Sequence, residues 1–356
     1  MKRRHHYVPQ FYLKAFASAP KRINVFNLKR GRTIQDASLR DQCYSHRLYG
    51  ESDEIEDAFA EVEGRAAPVI QKVASTQRPP EMGTTDYQNL LLFVTLQILR
   101  TTAARNRVQR SSIAFARRVF DDAPPPAGFV PDEAQSMALS LSPLRHVSDG
   151  LEGLKVHAIT APSGSAFITC DNPAYRYNQY CEGVRWQGLT GALCRGLQVF
   201  LPLSPLVSVL LFDGGVYKVG RRGVAPSSQA TERDVEFLNT IQLLAAADNV
   251  YFGGWGSAPV IQRLTDSVRE ERNKNRVRIM EAYEVGNERS SLIHQYEQMP
   301  DLNLQLSFVG LRRDARRVPL EARVRLLRKR PPPELDAPAL DPEYSRSRIF
   351  ETRVRR

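Results

Sequence analysis

Residues 87–101 read Tyr-Gln-Asn-Leu-Leu-Leu-Phe-Val-Thr-Leu-Gln-Ile-Leu-Arg-Thr. Apolar side chains surround nearly the whole circumference of the helix that this segment would form, which is typical of a helix buried in a core. We predict a long helix that begins at Thr84 or Thr85 and runs to about Phe120. Its second half, residues 105–118, is rich in arginine and is expected to reach solvent.

Further helical patterns lie on both sides of this segment. An apolar stripe predicts a helix over residues 53–74, with a break or kink at Pro68. Three consecutive prolines indicate an exposed loop over residues 121–131, and short helices are expected at 132–142 and 143–150. Together these segments predict a helical lobe over about residues 50–150.

Strand patterns dominate the next part of the chain. Alternating or continuous apolar runs predict strands over 23–28, 155–160, 166–169, 198–203, 207–212 and 250–253. A helix is expected from Ser227 or Thr231 to Ala247, and another over 260–284. This order predicts an α+β fold in which the helical lobe packs on a mixed β-sheet region, residues 154–255. We expect a core over residues 1–255, a helical and basic C-terminal extension over 256–330, and a disordered tail over 331–356.

Composition limits the compartment and the partners. No apolar run approaches the roughly 18 residues that a membrane span needs, and no signal-peptide pattern is present, so a cytoplasmic protein with no membrane partner is predicted. The four cysteines form no C-x-x-C pair, which predicts ordinary buried thiols. The net charge is +11. A basic surface favours a phosphate-rich partner such as nucleic acid, although a solvated basic tail would give the same sign.

The N-terminal stretch is the first candidate site. It contains His5, His6, Gln10 and Tyr12 within an apolar, aromatic run. Imidazole titrates near neutral pH, so either histidine is a candidate general acid or base. The alternative is a basic tail followed by a buried first strand.

A second candidate site lies on the long helix. Gln97, Arg100 and Thr101 fall on one helix face, and Arg105 lies one turn further on. A buried arginine needs a carboxylate, a phosphate or several carbonyl groups as partners. Carboxylates for this role, or for a metal, could come from Glu56 and Glu63 on the preceding helix. The alternatives are therefore an Arg–Glu pair that locks two helices together and an arginine that faces a phosphate.

Two turns follow predicted strands. Thr169-Cys170-Asp171-Asn172-Pro173 would present a carboxylate and an amide at a strand end, where catalytic groups are often held, but the same residues also stabilise turns. The second turn is Pro202-Leu203-Ser204-Pro205, in which Ser204 lies outside a G-x-S-x-G elbow. The sequence contains no phosphate-binding loop of the G-x-x-x-x-G-K-[ST] type, no H-E-x-x-H and no dinucleotide fingerprint.

The motifs at residues 5–13, 97–105, 169–173 and 202–205 resemble those of the prokaryotic family known as domain of unknown function 4238. The resemblance covers about residues 4–255, and Cys170 stands where the family usually has serine. Members of this family are similar to single-gene anti-phage defence proteins, so the resemblance implies a toxin-like defence effector and a phage-derived trigger. It names no reaction.

These residues suggest three functions. The first is a nuclease, with RNA favoured over DNA, in which His5, His6, Arg100, Asp171 and Asn172 are catalytic. Gln10, Gln97, Thr101 and Arg105 would bind the substrate, and Glu56 and Glu63 with Asp171 would hold Mg²⁺ or Mn²⁺. The second is a non-catalytic nucleic-acid-binding or sensor protein. The third is a transferase or hydrolase that acts on a nucleotide or a protein, and the oligomeric state is left open.

Overall fold

The structure is a computed structural model that describes residues 4–46, 48–49, 54–184, 188–220, 227–254, 258–274, 276–282, 292–300, 302–324 and 327–328. The strands, in chain order, are β1 (Arg4–His6), β2 (Arg22–Asn27), β3 (Arg32–Ser38), β4 (Tyr44–His46), β5 (Lys155–Thr160), β6 (Thr169–Cys170), β7 (Tyr175–Tyr177), β8 (Gln198–Pro202), β9 (Val207–Phe212), β10 (Tyr217–Val219), β11 (Ser227–Gln229), β12 (Asn249–Phe252), β13 (Val277–Ala282), β14 (Leu292–Glu297) and β15 (Val309–Leu311). The α-helices are α1 (Gln10–Lys14), α2 (Glu54–Thr76), α3 (Thr85–Leu99), α4 (Thr102–Val119), α5 (Glu133–Leu141), α6 (Leu144–Leu151), α7 (Glu232–Ala245), α8 (Ala258–Ser267), α9 (Arg269–Asn273), α10 (Arg313–Arg316) and α11 (Leu320–Arg323). The predicted α+β class is confirmed.

A five-stranded sheet lies at the centre of the fold, in the order β11-β5-β9-β8-β7. Its central strands β8 and β9 are buried along their whole length because apolar clusters that include helices cover both faces. On one face Leu201 and Val209 share a buried cluster with Leu90 and Phe93 of α3. On the other face Leu210 lies in the cluster that contains the buried side of α7. The helical lobe therefore packs on this sheet, as the sequence predicts.

A four-stranded sheet, in the order β3-β2-β12-β6, joins β2 and β3 of the N-terminal segment to β12 and β6. Strand β6 pairs antiparallel with β12, with Cys170 opposite Val250. The turn that follows β6 therefore lies beside the turn that precedes β12. The side chains of Val8, Tyr12 and Phe16 are buried in the same cluster as α3. This arrangement brings residues from distant parts of the chain to one end of the sheet.

The predicted single helix from Thr84 or Thr85 to Phe120 is wrong at its centre. Helix α3 ends at Leu99, and Thr101 adopts an extended backbone conformation (φ −80°, ψ 158°) as the N-cap of α4. Its hydroxyl accepts a hydrogen bond from the backbone N–H of Ala104 at 3.2 Å. A threonine side chain that satisfies a free N–H in this way starts a new helix. The break lets α4 leave the core and carry its arginines towards solvent.

The C-terminal extension also differs from prediction. The helix expected over 260–284 is two short helices, α8 and α9, followed by strand β13, which pairs with β14. Leu304, Leu306 and Ala315 are buried in the same cluster as Leu210, so this extension completes one side of the core. The predicted disordered tail, residues 331–356, lies outside the described residues, and the proposed division at residue 255 stays a prediction. Among the described helices, none combines the length and the apolar character needed to cross a membrane.

Candidate functional site

The N-terminal candidate residues lie at the edge of the core. His5 is buried; its Nδ1 accepts a hydrogen bond from the backbone N–H of Tyr49 at 3.3 Å, and its ring stacks on the Tyr49 ring at 5.4 Å. His6 is half-buried, and its Nε2 lies 3.2 Å from both the Arg40 carbonyl oxygen and the side-chain nitrogen of Gln10. In the tautomer with a proton on Nε2, His6 donates to the Arg40 carbonyl oxygen. In the other tautomer, Nε2 accepts a hydrogen bond from the Gln10 amide. Burial lowers the pKa of His6, so its neutral form is favoured.

The rest of the N-terminal motif connects three elements. The hydroxyl of Tyr12 on α1 donates to the Pro202 carbonyl oxygen at 2.6 Å and lies 2.8 Å from the hydroxyl of Thr169 on β6. Tyr12 is buried, so these bonds form in a low-dielectric interior where an unpaired hydroxyl would be costly. Tyr12 therefore holds α1 against β6 and β8.

Arg100 is fully buried and does not face solvent. Its Nη1 lies 2.7 Å from Oε1 of Glu63 on α2, and its guanidinium lies over the Phe59 ring at 5.4 Å. With the Gln97 amide oriented so that its oxygen faces the guanidinium, that oxygen accepts from Nη2 at 2.8 Å and from Nε at 3.3 Å. This is the arrangement of the structural alternative, an Arg–Glu pair that holds α2 against the end of α3.

The remaining predicted residues of the helical lobe also have structural partners. Arg105 pairs with Glu133 on α5, with 2.8 Å between Nη1 and the carboxylate oxygen. Thr101 caps α4 and donates its hydroxyl hydrogen to Oδ1 of Asn172 at 2.8 Å. Glu56 is partly exposed on α2. No three His, Cys, Asp or Glu side chains within the described ranges lie close enough together to hold a metal ion, so Glu56, Glu63 and Asp171 are not gathered into one site.

Asp171 braces the turn between α7 and β12. Its two buried carboxylate oxygens accept hydrogen bonds from the backbone N–H groups of Ala247 at 2.7 Å, Asp248 at 2.8 Å and Asn249 at 2.9 Å. Burial raises the pKa of Asp171 to about 6, although the three N–H donors oppose this effect. Asn172 donates to the Ala245 carbonyl oxygen at 3.0 Å. The Asp-Asn-Pro turn thus fixes the backbone between α7 and β12.

Beside this turn lies a cavity of about 580 Å³, which we call the basic cavity. Its walls come from α4, from the chain between β6 and β7, from the end of α7 and the turn after it, and from α9, β13 and the end of β14. Of the predicted site residues, Asn172 is the one among the described lining residues. The cationic lining residues are Lys29, Arg107, Arg110, Arg117, Arg176, Arg272, Lys274 and Arg276, and the acidic ones are Asp248 and Glu297.

Glu297 lies among the arginines of this cavity. Its carboxylate is 2.6 Å from Nε of Arg107. Burial alone would raise the pKa of Glu297, but the fields of Arg107, Arg176, Arg110 and Arg276 together hold it below its usual range. One carboxylate therefore faces four guanidinium groups, which leaves an excess of positive charge in the cavity.

Three arginines of the basic cavity lack a counter-ion in the part of the chain that the structure describes: Arg110, Arg117 and Arg176 make no side-chain hydrogen bond or ion pair there. Arg176 is the most informative of them, since its side chain is partly buried on β7. Burial, followed by repulsion from Arg107, lowers the pKa of Arg176 to about 10, so the group remains a cation at neutral pH. The field of Glu297 opposes this decrease, but its carboxylate pairs directly with Arg107 and forms no ion pair with Arg176. A desolvated guanidinium without a direct partner is unfavourable unless a ligand supplies one.

The sequence indicates the arginines of α4 but not the rest of the basic cavity. Arg107, Arg110 and Arg117 are spaced i, i+3 and i+10 on α4, so they share a helix face, and the basic character of this segment is visible in the sequence. Arg176 carries no comparable signal. Its strongest charged neighbours, Arg107 on α4 and Glu297 on β14, are more than sixty residues away in either direction.

The model of the family described as Protein of unknown function (DUF4238) matches residues 4–254, which is more than half of the 356-residue chain. The chain belongs to the DUF4238 family. The family predicted from the motifs is therefore confirmed. No curated protein and no solved structure matches the chain significantly.

The DUF4238 match divides the basic cavity into two parts. Helix α4, Asn172 and Arg176 lie within the matched residues, whereas Arg272, Arg276 and Glu297 lie beyond them. The cavity is thus completed by the C-terminal extension of this chain.

Proposed function

We propose that this protein binds nucleic acid and that the basic cavity receives its phosphate groups. The observation that carries the proposal is Arg176, a partly buried guanidinium that forms no direct ion pair with a described residue and lines a cavity containing further arginines. A phosphate oxygen would supply the missing acceptor, and guanidinium groups bind phosphate through paired hydrogen bonds. Arg110 and Arg117 would bind neighbouring phosphates.

The size and charge of the cavity agree with this ligand. A volume of about 580 Å³ falls within the usual range for ligand sites. Phosphate contacts also provide most of the affinity in sequence-independent nucleic-acid binding, whereas base contacts provide specificity. We predict RNA rather than DNA as the ligand, and binding of the two is compared by fluorescence anisotropy.

Cleavage of the bound strand is a second, weaker proposal. The described lining of the cavity contains no histidine, and its two carboxylates, Asp248 and Glu297, both form ion pairs. A general base near a bound phosphate is therefore missing from this part of the chain, so we place binding ahead of nuclease, transferase or hydrolase activity. Mg²⁺ or Mn²⁺ added to a cleavage assay with RNA and DNA tests the nuclease prediction.

A role in anti-phage defence, with a phage-derived trigger, is proposed from the family resemblance alone, and a cytoplasmic location belongs to the same proposal. A protein that captures nucleic acid during infection would meet its ligand in that compartment. Phage plaque counts on cells that express the wild type or an inactive cavity variant test this role.

Fluorescence anisotropy with labelled single-stranded RNA and DNA tests the binding proposal directly. Arg110→Ala combined with Arg117→Ala removes two exposed cations from α4 without creating a core cavity. We expect weaker binding and a salt slope, d log K/d log [salt], that is smaller in magnitude by up to about 1.4, because each lost phosphate contact to a single strand removes about 0.7.

The matched control replaces Arg65 and Arg145, two exposed arginines on α2 and α6 that do not line the cavity, with alanine. This control has the same net charge as the double variant, so it should retain the wild-type slope. Equal losses in both variants would mean that binding follows net charge alone and would contradict a specific site.

A further inference from the structure

A second, shallower depression adjoins the basic cavity. It is open to solvent, encloses about 390 Å³, and lies along β2 and β3, with Val25, Asn27, Arg30, Ile34 and Gln42 among its lining residues. We call it the side groove. Lys29 and Asp248 line both the side groove and the basic cavity, so the two depressions are contiguous.

The boundary between them is an exposed ion pair. Nζ of Lys29 lies 2.7 Å from Oδ1 of Asp248, and the two side chains are 76% and 41% exposed. Exposed ion pairs of this kind contribute little to stability, so exchanging the Asp248 carboxylate for a phosphate costs little. The backbone at this boundary stays fixed, because Asp171 accepts the N–H groups of Ala247, Asp248 and Asn249.

From this continuity we infer that one single strand of nucleic acid occupies both depressions, an inference that rests on the proposed function. One phosphate lies among the arginines of the basic cavity, the chain crosses beside Lys29, and the next nucleotides lie in the side groove. Arg30 is exposed at that groove and has no counter-ion among the described residues, so it is available to a backbone phosphate. Ile34 is 39% exposed and offers an apolar surface to a base.

A single strand fits this path better than a duplex does. The path runs from a partly open cavity into a more open groove, and Arg176 is partly buried in the wall of the cavity. Double-stranded DNA is stiff over about 150 base pairs and cannot bend into such a site, whereas a flexible strand can place one phosphate inside and continue outside.

The length of the ligand tests this inference. Binding to wild-type protein is measured for a mononucleotide, a dinucleotide, a tetranucleotide and an octanucleotide, each with a 5′-phosphate, and for a duplex of the longest sequence. Affinity should rise by roughly tenfold or more from the mononucleotide to the tetranucleotide, because further phosphates meet Lys29 and Arg30. The duplex should bind more weakly than the octanucleotide.

Arg30→Ala provides the specific variant. Arg32→Ala is its matched control, since Arg32 is also exposed, on β3, but lines neither depression. Arg30→Ala should bind the mononucleotide as the wild type does and lose several-fold in affinity for the tetranucleotide, while Arg32→Ala matches the wild type throughout. Affinity that is independent of length, or equal losses in both variants, would overturn the shared path but leave phosphate binding in the cavity intact. If the wild-type protein binds none of these ligands, the proposed function is overturned as well.

Discussion

At the scale of single residues, polar groups that appear catalytic in the sequence hold the fold together. Arg100 and Asp171 are both buried, and each is bonded to groups of the protein itself: Glu63 in one case and three backbone N–H groups in the other. Their residue types suit phosphate or proton chemistry equally well, so sequence alone leaves both interpretations open. What separates them is the direction of each side chain, which depends on tertiary structure.

Replacing Asp171 with alanine should therefore destabilise the protein. The change leaves three backbone N–H groups without their acceptor, at a cost on the order of 3 kcal/mol in the free energy of unfolding. Urea denaturation of the purified variant measures this loss. Asp149→Ala, which removes an exposed carboxylate on α6, is the control and should change the free energy by no more than about 0.5 kcal/mol. A wild-type unfolding midpoint for Asp171→Ala would show that the turn holds without this carboxylate.

At the scale of elements, strand β14 places a carboxylate where a ligand phosphate would lie. Glu297 at the end of β14 pairs with Arg107 and lowers the positive potential that Arg176, Arg110 and Arg276 present. A phosphate that enters the cavity must compete with this carboxylate for the same guanidinium groups.

Replacing Glu297 with glutamine should consequently strengthen binding. The change removes one negative charge while keeping the side-chain shape, which is worth about 1 kcal/mol, or roughly fivefold in affinity, at a partly exposed site. Anisotropy titrations with labelled single-stranded RNA measure the gain. Glu133→Gln removes a carboxylate that pairs with Arg105 outside the cavity and should leave affinity near the wild-type value. Weaker binding by Glu297→Gln would instead make Glu297 a group that orients the arginines.

Sequence patterns predict elements best where local and tertiary preferences agree. Strands β5 and β9 match their predicted bounds, 155–160 and 207–212, because their apolar runs are also buried in the central sheet. The break at Thr101 is hidden within an otherwise continuous helical pattern. Strand β13 lies in a segment whose composition favours helix, and its pairing with β14, the next strand along the chain, overrides that local preference. The cavity is harder still to predict, since its arginines come from α4, β7 and α9 and converge only in the folded chain.

At the scale of the whole molecule, the buried groups His157 and Asp171 contribute to acid stability with opposite signs. Burial lowers the pKa of His157 from 6.5 to about 4. The unfolded chain therefore binds a proton that the folded chain does not, and the free energy of unfolding falls as the pH drops from about 6.5 to about 4. Burial raises the pKa of Asp171 from 3.8 to about 6, so this group stabilises the fold as the pH drops through that range. The wild-type pH profile sums these two contributions with those of other shifted groups, such as His6 and Glu297, so a variant of one group isolates the contribution of that group.

His157→Gln should make the fold less sensitive to acid. His157 is 4% exposed, its Nε2 lies 2.9 Å from the Ser228 hydroxyl, and its ring stacks on Phe308, so glutamine keeps a hydrogen-bonding group without a titrating proton. Between neutral pH and pH ~4.5 the variant should lose about 2 kcal/mol less of its unfolding free energy than the wild type does. Urea unfolding at several pH values gives both curves. Ser228→Ala removes the hydroxyl but keeps the imidazole, so it should keep the wild-type acid dependence. Identical pH profiles for His157→Gln and the wild type would mean that His157 is protonated in the folded protein as readily as in the unfolded chain.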